Sequence, residues 1–324
     1  MPPLGRQGPV DGEVRWDEPD WLPDDETSIR EADALGSAGA ALALGLLLHQ
    51  RGDLEGAEDC LWRADRRGSA DAAWYVGALL QDRGQTHEAL TAYHRADGRG
   101  SAEGAWSVGT VMQEKGDLLE AEAAYRRADE RGSARGAASL GVLLWERGDM
   151  AGAEAACRRA DERGSPEGAA GLASLLAWRG DLQGASGALH RADERGSREA
   201  ARDLGRLLLD RGDREAAEAA FNRAEERGDA EAGRILGELR HRRGDARGAE
   251  GPLRRADARG DARAAWLMGE ILSARGEMVA AEAAYRRADQ RGSREGAYRL
   301  SALLRARGDI VGASAAQARA EQRS

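Results

Sequence analysis

The chain has 324 residues, 41% hydrophobic, 32% charged and only 4% aromatic, with Phe221 as its one phenylalanine. It is too long for one small core and too poor in aromatics for one large core, and 43 glycines against 7 prolines without a Gly-X-Y period exclude collagen and Pro-rich disorder. Of the net charge of −9, residues 1–33 carry −7 through ten acids and three arginines; the nearly neutral remainder lacks the basic stripe that phosphate neutralisation needs, which argues against a nucleic-acid partner.

The opening MPPLGRQGPV has no basic head followed by an apolar run, and no stretch approaches the roughly 18 apolar residues of a membrane helix. Cys60 and Cys157 are too few for a disulfide framework, so a cytoplasmic protein with reduced thiols and no membrane partner is expected. Residues 1–23, acidic and broken by proline in RWDEPDWLPDDE, are expected to be a disordered tail, with a lead-in helix over about 25–35. The plain reading of that tail is a solvated acidic segment. A sharper one docks Trp16, Trp21 and their acids opposite Arg202 and Arg234 until a partner displaces them.

From residue 37 to about 323 the chain repeats itself. Gly52, Gly84, Gly116 and onward to Gly308 recur every 32 residues without insertion, and a second set from Gly36 to Gly292 keeps the same step. Nine units result, each cut by its two glycines into two helix-length segments. In SPEGAAGLASLLAWRGDLQGASGALHRADERG, Ser165 and Pro166 start helix A, Gly180 ends it, Asp181 caps helix B and Gly196 closes the unit. Gln85 and Glu277 break the Asp cap rule. Ala137, Leu140, Gly141 and Leu144 make one apolar face of helix A, and Ala153, Ala156, Cys157 and Ala160 one of helix B. Such small residues bury too little within one pair, so pairs must stack into an all-α solenoid spanning about 24–324.

The Ala-x-x-Leu-Gly-x-Leu-Leu pattern of helix A resembles the tetratricopeptide repeat. So do the alanine in every helix B (Ala57, Ala89, Ala121 and onward) and the aromatic or leucine four later (Tyr93, Tyr125, Phe221, Tyr285). RADERGS-x-x-GA is similar to the related Sel1-like repeat. The resemblance implies a right-handed α-solenoid of nine helix-turn-helix repeats whose helix A face lines a concave groove for peptides or partner helices. At 32 residues each unit is two shorter than the tetratricopeptide length, and Ser or Asp replaces the terminal proline.

Positions that vary between units fall on one face of helix A. They read Trp74, Gln81, Trp106, Gln113 and Trp145 in the first half, then Arg202, Arg206, Arg234, Glu238, His241, Trp266, Glu270, Tyr298 and Arg305. Trp and Arg are the types most enriched in binding hot spots, so Trp74, Trp106, Trp145, Arg202, Arg234, His241, Trp266 and Tyr298 are the candidate groove residues. The competing reading packs the tryptophans across adjacent A helices. Trp62 falls on helix B, outside this face.

In the ninth unit Gln317, Ser301 and Ala318 replace the usual residues and suggest a solvent-facing end. The seventh has Arg240 where Leu is expected and Pro252 inside helix B, where a kink is expected. The recurring RGD (51–53, 147–149, 179–181, 211–213) is explained by helix end, turn and cap, and Arg127, Asp129 and Arg131 by ladders of exposed ion pairs worth about 0–1 kcal/mol each. The five histidines form no metal motif and no nucleophile, phosphate loop or carboxylate pair stands out. A non-catalytic scaffold without cofactor or metal is the leading reading, as monomer or two-fold dimer. A sensor solenoid taking a small molecule or signalling peptide, with a pocket near Arg234, His241 and Trp266, and a structural homo-oligomer are the alternatives.

Overall fold

The computed structural model describes residues 26–323, so the acidic tail, with Trp16 and Trp21, lies outside the described residues. Among the described residues there are nineteen α-helices and no strand. The chain divides into two compact units, Met1–Asp181 and Leu182–Ser324, and the division falls between the two helices of the fifth repeat.

The first unit holds α1 (Glu26–Ala34), then α2 (Ala38–Gln50) and α3 (Leu54–Arg66), α4 (Ala70–Asp82) and α5 (Thr86–Gly98), α6 (Ala102–Glu114) and α7 (Leu118–Glu130), α8 (Ala134–Glu146) and α9 (Met150–Glu162), and α10 (Pro166–Trp178). The second holds α11 (Leu182–Glu194), α12 (Arg198–Asp210) and α13 (Arg214–Glu226), α14 (Ala230–Arg242) and α15 (Ala246–Ala258), α16 (Ala262–Ala274) and α17 (Met278–Gln290), and α18 (Arg294–Ala306) and α19 (Ile310–Gln322). Even-numbered helices are the A helices. Within each unit every helix packs on its neighbours in sequence, and the A helices α4, α6, α8 and α10 of the first unit and α14, α16 and α18 of the second also touch one after another.

The boundaries follow from capping. Ser133 Oγ accepts from Gly136 N and Asp149 Oδ1 from Gly152 N, whereas Gln85 and Glu277 make no side-chain cap. Each helix but α19 ends on a glycine in the left-handed region, every sixteen residues from Gly36 to Gly308, with φ between 74° and 98°. There Gly148 N donates to Trp145 O and Asp149 N to Leu144 O, which satisfies the last carbonyls.

The core is thin and made of small side chains. Ala121, Ala124 and Ala128 of α7 and Ala137 of α8 are fully buried. Where a ring enters, glycine makes the room: a Cβ on Gly77 would lie 2.5 Å from Tyr93 Cε1. Tyr93 then donates its hydroxyl to Gln81 Oε1 at 2.8 Å.

Successive repeats are locked by two ladders. In the first, a carboxylate near the end of one helix B is gripped by two arginines of the next, thirty and thirty-four residues on. Asp97 Oδ2 meets Arg127 Nη2 at 2.8 Å and Oδ1 meets Arg131 Nη1 at 2.6 Å, while Arg131 also donates to Ser101 O at 3.0 Å. Asp33, Asp65 and Asp129 do the same in the first unit, and Asp193, Glu225, Asp257 and Asp289 in the second. The expectation of exposed pairs is corrected here: the carboxylates are buried, Asp193 to 1% exposure, because each lies next to the alanine that packs helix B onto its neighbours. In the second ladder, the arginine ending helix A pairs with a glutamate twenty-five residues earlier, as Arg179 with Glu154 at 2.9 Å and Arg243 with Glu218 at 2.8 Å. The arginine of RGD is consumed in this way at Arg51, Arg147, Arg179, Arg243 and Arg307.

Burial pushes the Asp33, Asp97, Asp129, Glu225 and Asp289 carboxyls up, but their paired guanidinium groups outweigh it and hold each below its ordinary value. A carboxyl with a depressed folded pKa stabilises the fold above its unfolded pKa and stops doing so as pH falls through the folded one. The thermal midpoint is therefore expected to hold from pH 7 to about 5 and to fall steeply below about pH 4. Circular dichroism melts across that range check it, and a midpoint unchanged at pH 3 contradicts it.

The seventh repeat carries Pro252, where a kink is expected, inside helix α15. Helix α15 runs unbroken through Pro252, and Gly248 O, which loses its helical donor there, accepts from Arg240 Nη1 at 3.1 Å. The two irregular residues of this repeat compensate each other.

Candidate functional site

The variable face of the A helices is treated separately in each unit. In the first, Trp74 and Trp106 lie half-buried across the next A helix: Trp74 Nε1 donates to Ser107 Oγ at 2.9 Å and Trp106 Nε1 to Ser139 Oγ at 3.1 Å. Trp74 also packs on the Tyr75 ring at 4.7 Å, and the Arg135 guanidinium sits 5.5 Å over the Trp106 ring. Both indoles thus serve packing, the competing reading of the sequence, although part of each ring faces solvent.

Trp145 differs. Its ring meets that of Trp178 edge-on at 6.2 Å and 78°, and Trp178 is 56% exposed. On the same face of α8 and α10 the side chains are small: Ala138, Val142, Ala170 and Ser174. Sequence comparison overlooked Trp178, which stands where the neighbouring A helices of this unit carry Asp82, Glu114 and Glu146. The signal was present: Trp145 and Trp178 are thirty-three residues apart, the same interval that joins Trp74 to Ser107.

In the second unit the arginines are already engaged. Arg202 pairs with Asp229 at 2.9 Å and Asp203 at 3.2 Å, and Arg206 with Glu231 at 2.7 Å. Arg234 lies among Glu231, Glu238 and Asp261 at 3.3–3.4 Å. Burial works against the Arg202 charge, and Asp203 and Asp229 more than restore it, leaving its pKa raised. A chain of alternating charges therefore covers α12, α14 and the start of α16 in place of two free cations.

His241 and Trp266 are half-buried, and His241 Nδ1 and Trp266 Nε1 have no hydrogen-bond partner among the described residues. Arg299 stands thirty-three residues after Trp266, at the place of Ser107 and Ser139, and pairs with Glu270 at 2.8 Å. Tyr298 is 44% exposed with Arg294 at 5.9 Å from its ring centre. A cavity of about 420 Å³ lies in the first unit beside the Asp129 clamp, lined by Leu140, Leu144, Asp149 and Arg159, and thus not near Arg234, His241 or Trp266. Cys60 and Cys157 are free and buried, and burial pushes the Cys157 thiol up to about 12. Among the described residues no cluster of His, Cys, Asp or Glu has the makings of a metal site, and no helix is long and apolar enough to cross a membrane.

The fold these residues define is that of the Sel1-like and tetratricopeptide helical repeats. A Sel1 repeat protein from Oxalobacter formigenes is similar over 82% of this chain and 87% of its own, with 21% identity and a TM-score of 0.60. PilF of Pseudomonas aeruginosa is similar over 65% of this chain and 99% of its own, with 22% identity and a TM-score of 0.50. No protein-family model matches the chain, and no curated protein does.

Proposed function

We propose that this chain is a non-catalytic interaction scaffold that takes a peptide or a partner helix across the variable face of its A helices. The observation that carries the reading is the Trp145–Trp178 pair, in which a half-buried Trp145 backs a Trp178 that is 56% exposed, beside small side chains and with few rotors to freeze on binding. The fold supports it, since stacked helix pairs present such faces repeatedly. The commitment of Arg202 and Arg234 to internal carboxylates favours apolar recognition over capture of acidic groups at those positions. The same commitment favours a protein partner over a phosphate backbone. Two buried thiols fit a reducing cytoplasm.

Replacing both Trp145 and Trp178 by alanine is expected to abolish retention of the partner from the native cell extract while leaving helicity unchanged. Pull-downs with wild type, this variant and Trp74→Ala, each checked by circular dichroism, test it. Equal retention by wild type and the double variant overturns the reading.

A further inference from the structure

We propose that Ser186 is a phosphorylation site whose phosphate completes the glutamate–arginine ladder between α11 and α12. The ladder has a strict register. Glu26, Glu58, Glu122, Glu154, Glu218, Glu250 and Glu282 each pair with an arginine twenty-five residues later, at the end of the following A helix. Several of these glutamates also hold an arginine one turn along their own helix, as Glu122 holds Arg126 and Glu154 holds Arg158.

In α11 the register delivers Ser186, with His190 one turn on and Arg211 at the end of α12. Arg211 is exposed and makes no ion pair, and the Ser186 hydroxyl no hydrogen bond, among the described residues. Elsewhere the register fails differently. Leu90 replaces the glutamate and Lys115 its arginine, so both halves have changed. Ser314, in α19, already donates to Ile310 O at 2.9 Å. Only at Ser186 does a hydroxyl stand opposite an arginine that has kept its place without an acid.

A second observation concerns access. Ser186 is half-buried, and a kinase needs it in an extended segment. Gly187, beside it, has no packing reason to be glycine: an added Cβ would meet nothing nearer than Arg191 Nη1 at 3.7 Å. Glycine there weakens the helix interior and eases local opening.

The chemistry is phosphoryl transfer from a nucleoside triphosphate by a protein kinase. Ser186 Oγ forms a bond to the γ-phosphorus, the bridging P–O bond to the leaving nucleoside diphosphate breaks, and the hydroxyl proton passes to the kinase's base. The product carries about −1.5 to −2 charges on α11, and charge-assisted bonds to Arg211 tie α11 to α12.

Two experiments on the full chain test this. Phosphopeptide mapping of protein isolated from its native cells is expected to find phosphate on Ser186; protein unmodified there overturns the assignment. In parallel, Ser186→Glu is expected to raise the thermal midpoint by about 1–3 °C over Ser186→Ala, a gain that vanishes when Arg211→Ala is added. A gain that is absent, or equal in both backgrounds, overturns the ladder argument.

Discussion

Replacing Arg127 and Arg131 together by alanine is expected to cost about 3 kcal/mol. The Asp97 side chain is 9% exposed and would be left ionised with neither of its partners. The figure sits at the lower end for a broken buried pair because the arginines themselves are 34% and 29% exposed, so that water can reach the vacated space. Adding Asp97→Asn should recover most of the loss, since the uncompensated charge, not the missing attraction, dominates the cost. Urea unfolding followed by circular dichroism measures both. A cost under about 1 kcal/mol for the double variant would return the clamp to the ranks of ordinary surface pairs.

Arg240→Leu should cost about 1–3 kcal/mol, even though leucine is the residue most other repeats carry at this position. The substitution restores the apolar pattern but removes the donor to Gly248 O, which Pro252 cannot supply, and the contact of Arg240 Nη2 with Asn222 Oδ1 at 3.3 Å. With Pro252→Ala in the same chain, the new backbone N–H meets Gly248 O and the leucine should be tolerated. A double-mutant cycle by urea unfolding reads the coupling directly, and additive effects would show that the two irregularities arose independently.

The architecture was legible because its signals are local. A glycine every sixteen residues, a serine or aspartate after it and small apolar residues between them specify helix, turn and helix without reference to distant chain. What could not be read was depth. Asp97 and Asp129 look like solvent-facing members of a charged helix end, and only stacking, which brings residues thirty and thirty-four positions apart together, reveals them as buried. The candidate face was found by comparing repeats, but its chemistry was not. Arg202 and Arg234 read as free cations because their partners Asp229 and Asp261 occupy cap positions usually held by serine. Trp106 reads as an anchor because its acceptor, Ser139, lies one repeat and one residue away. Trp178 escaped notice because the three A helices before it carry acids, Asp82, Glu114 and Glu146, at its position on the variable face.

The clamps also bear on how such a chain changes length. Each carboxylate seeks two arginines of the next repeat, and every repeat of the first unit offers them in the same places. Excising residues 101–132 would bring Asp97 up to Arg159 and Arg163, the same chemical hands that Arg127 and Arg131 extend now. No buried carboxylate would be stranded at such a junction, although exposed Arg147 would give up Glu122 and face Leu90. Gene duplication and deletion in steps of 32 residues would thus leave the clamps intact, and any other step would strand a buried acid at the seam.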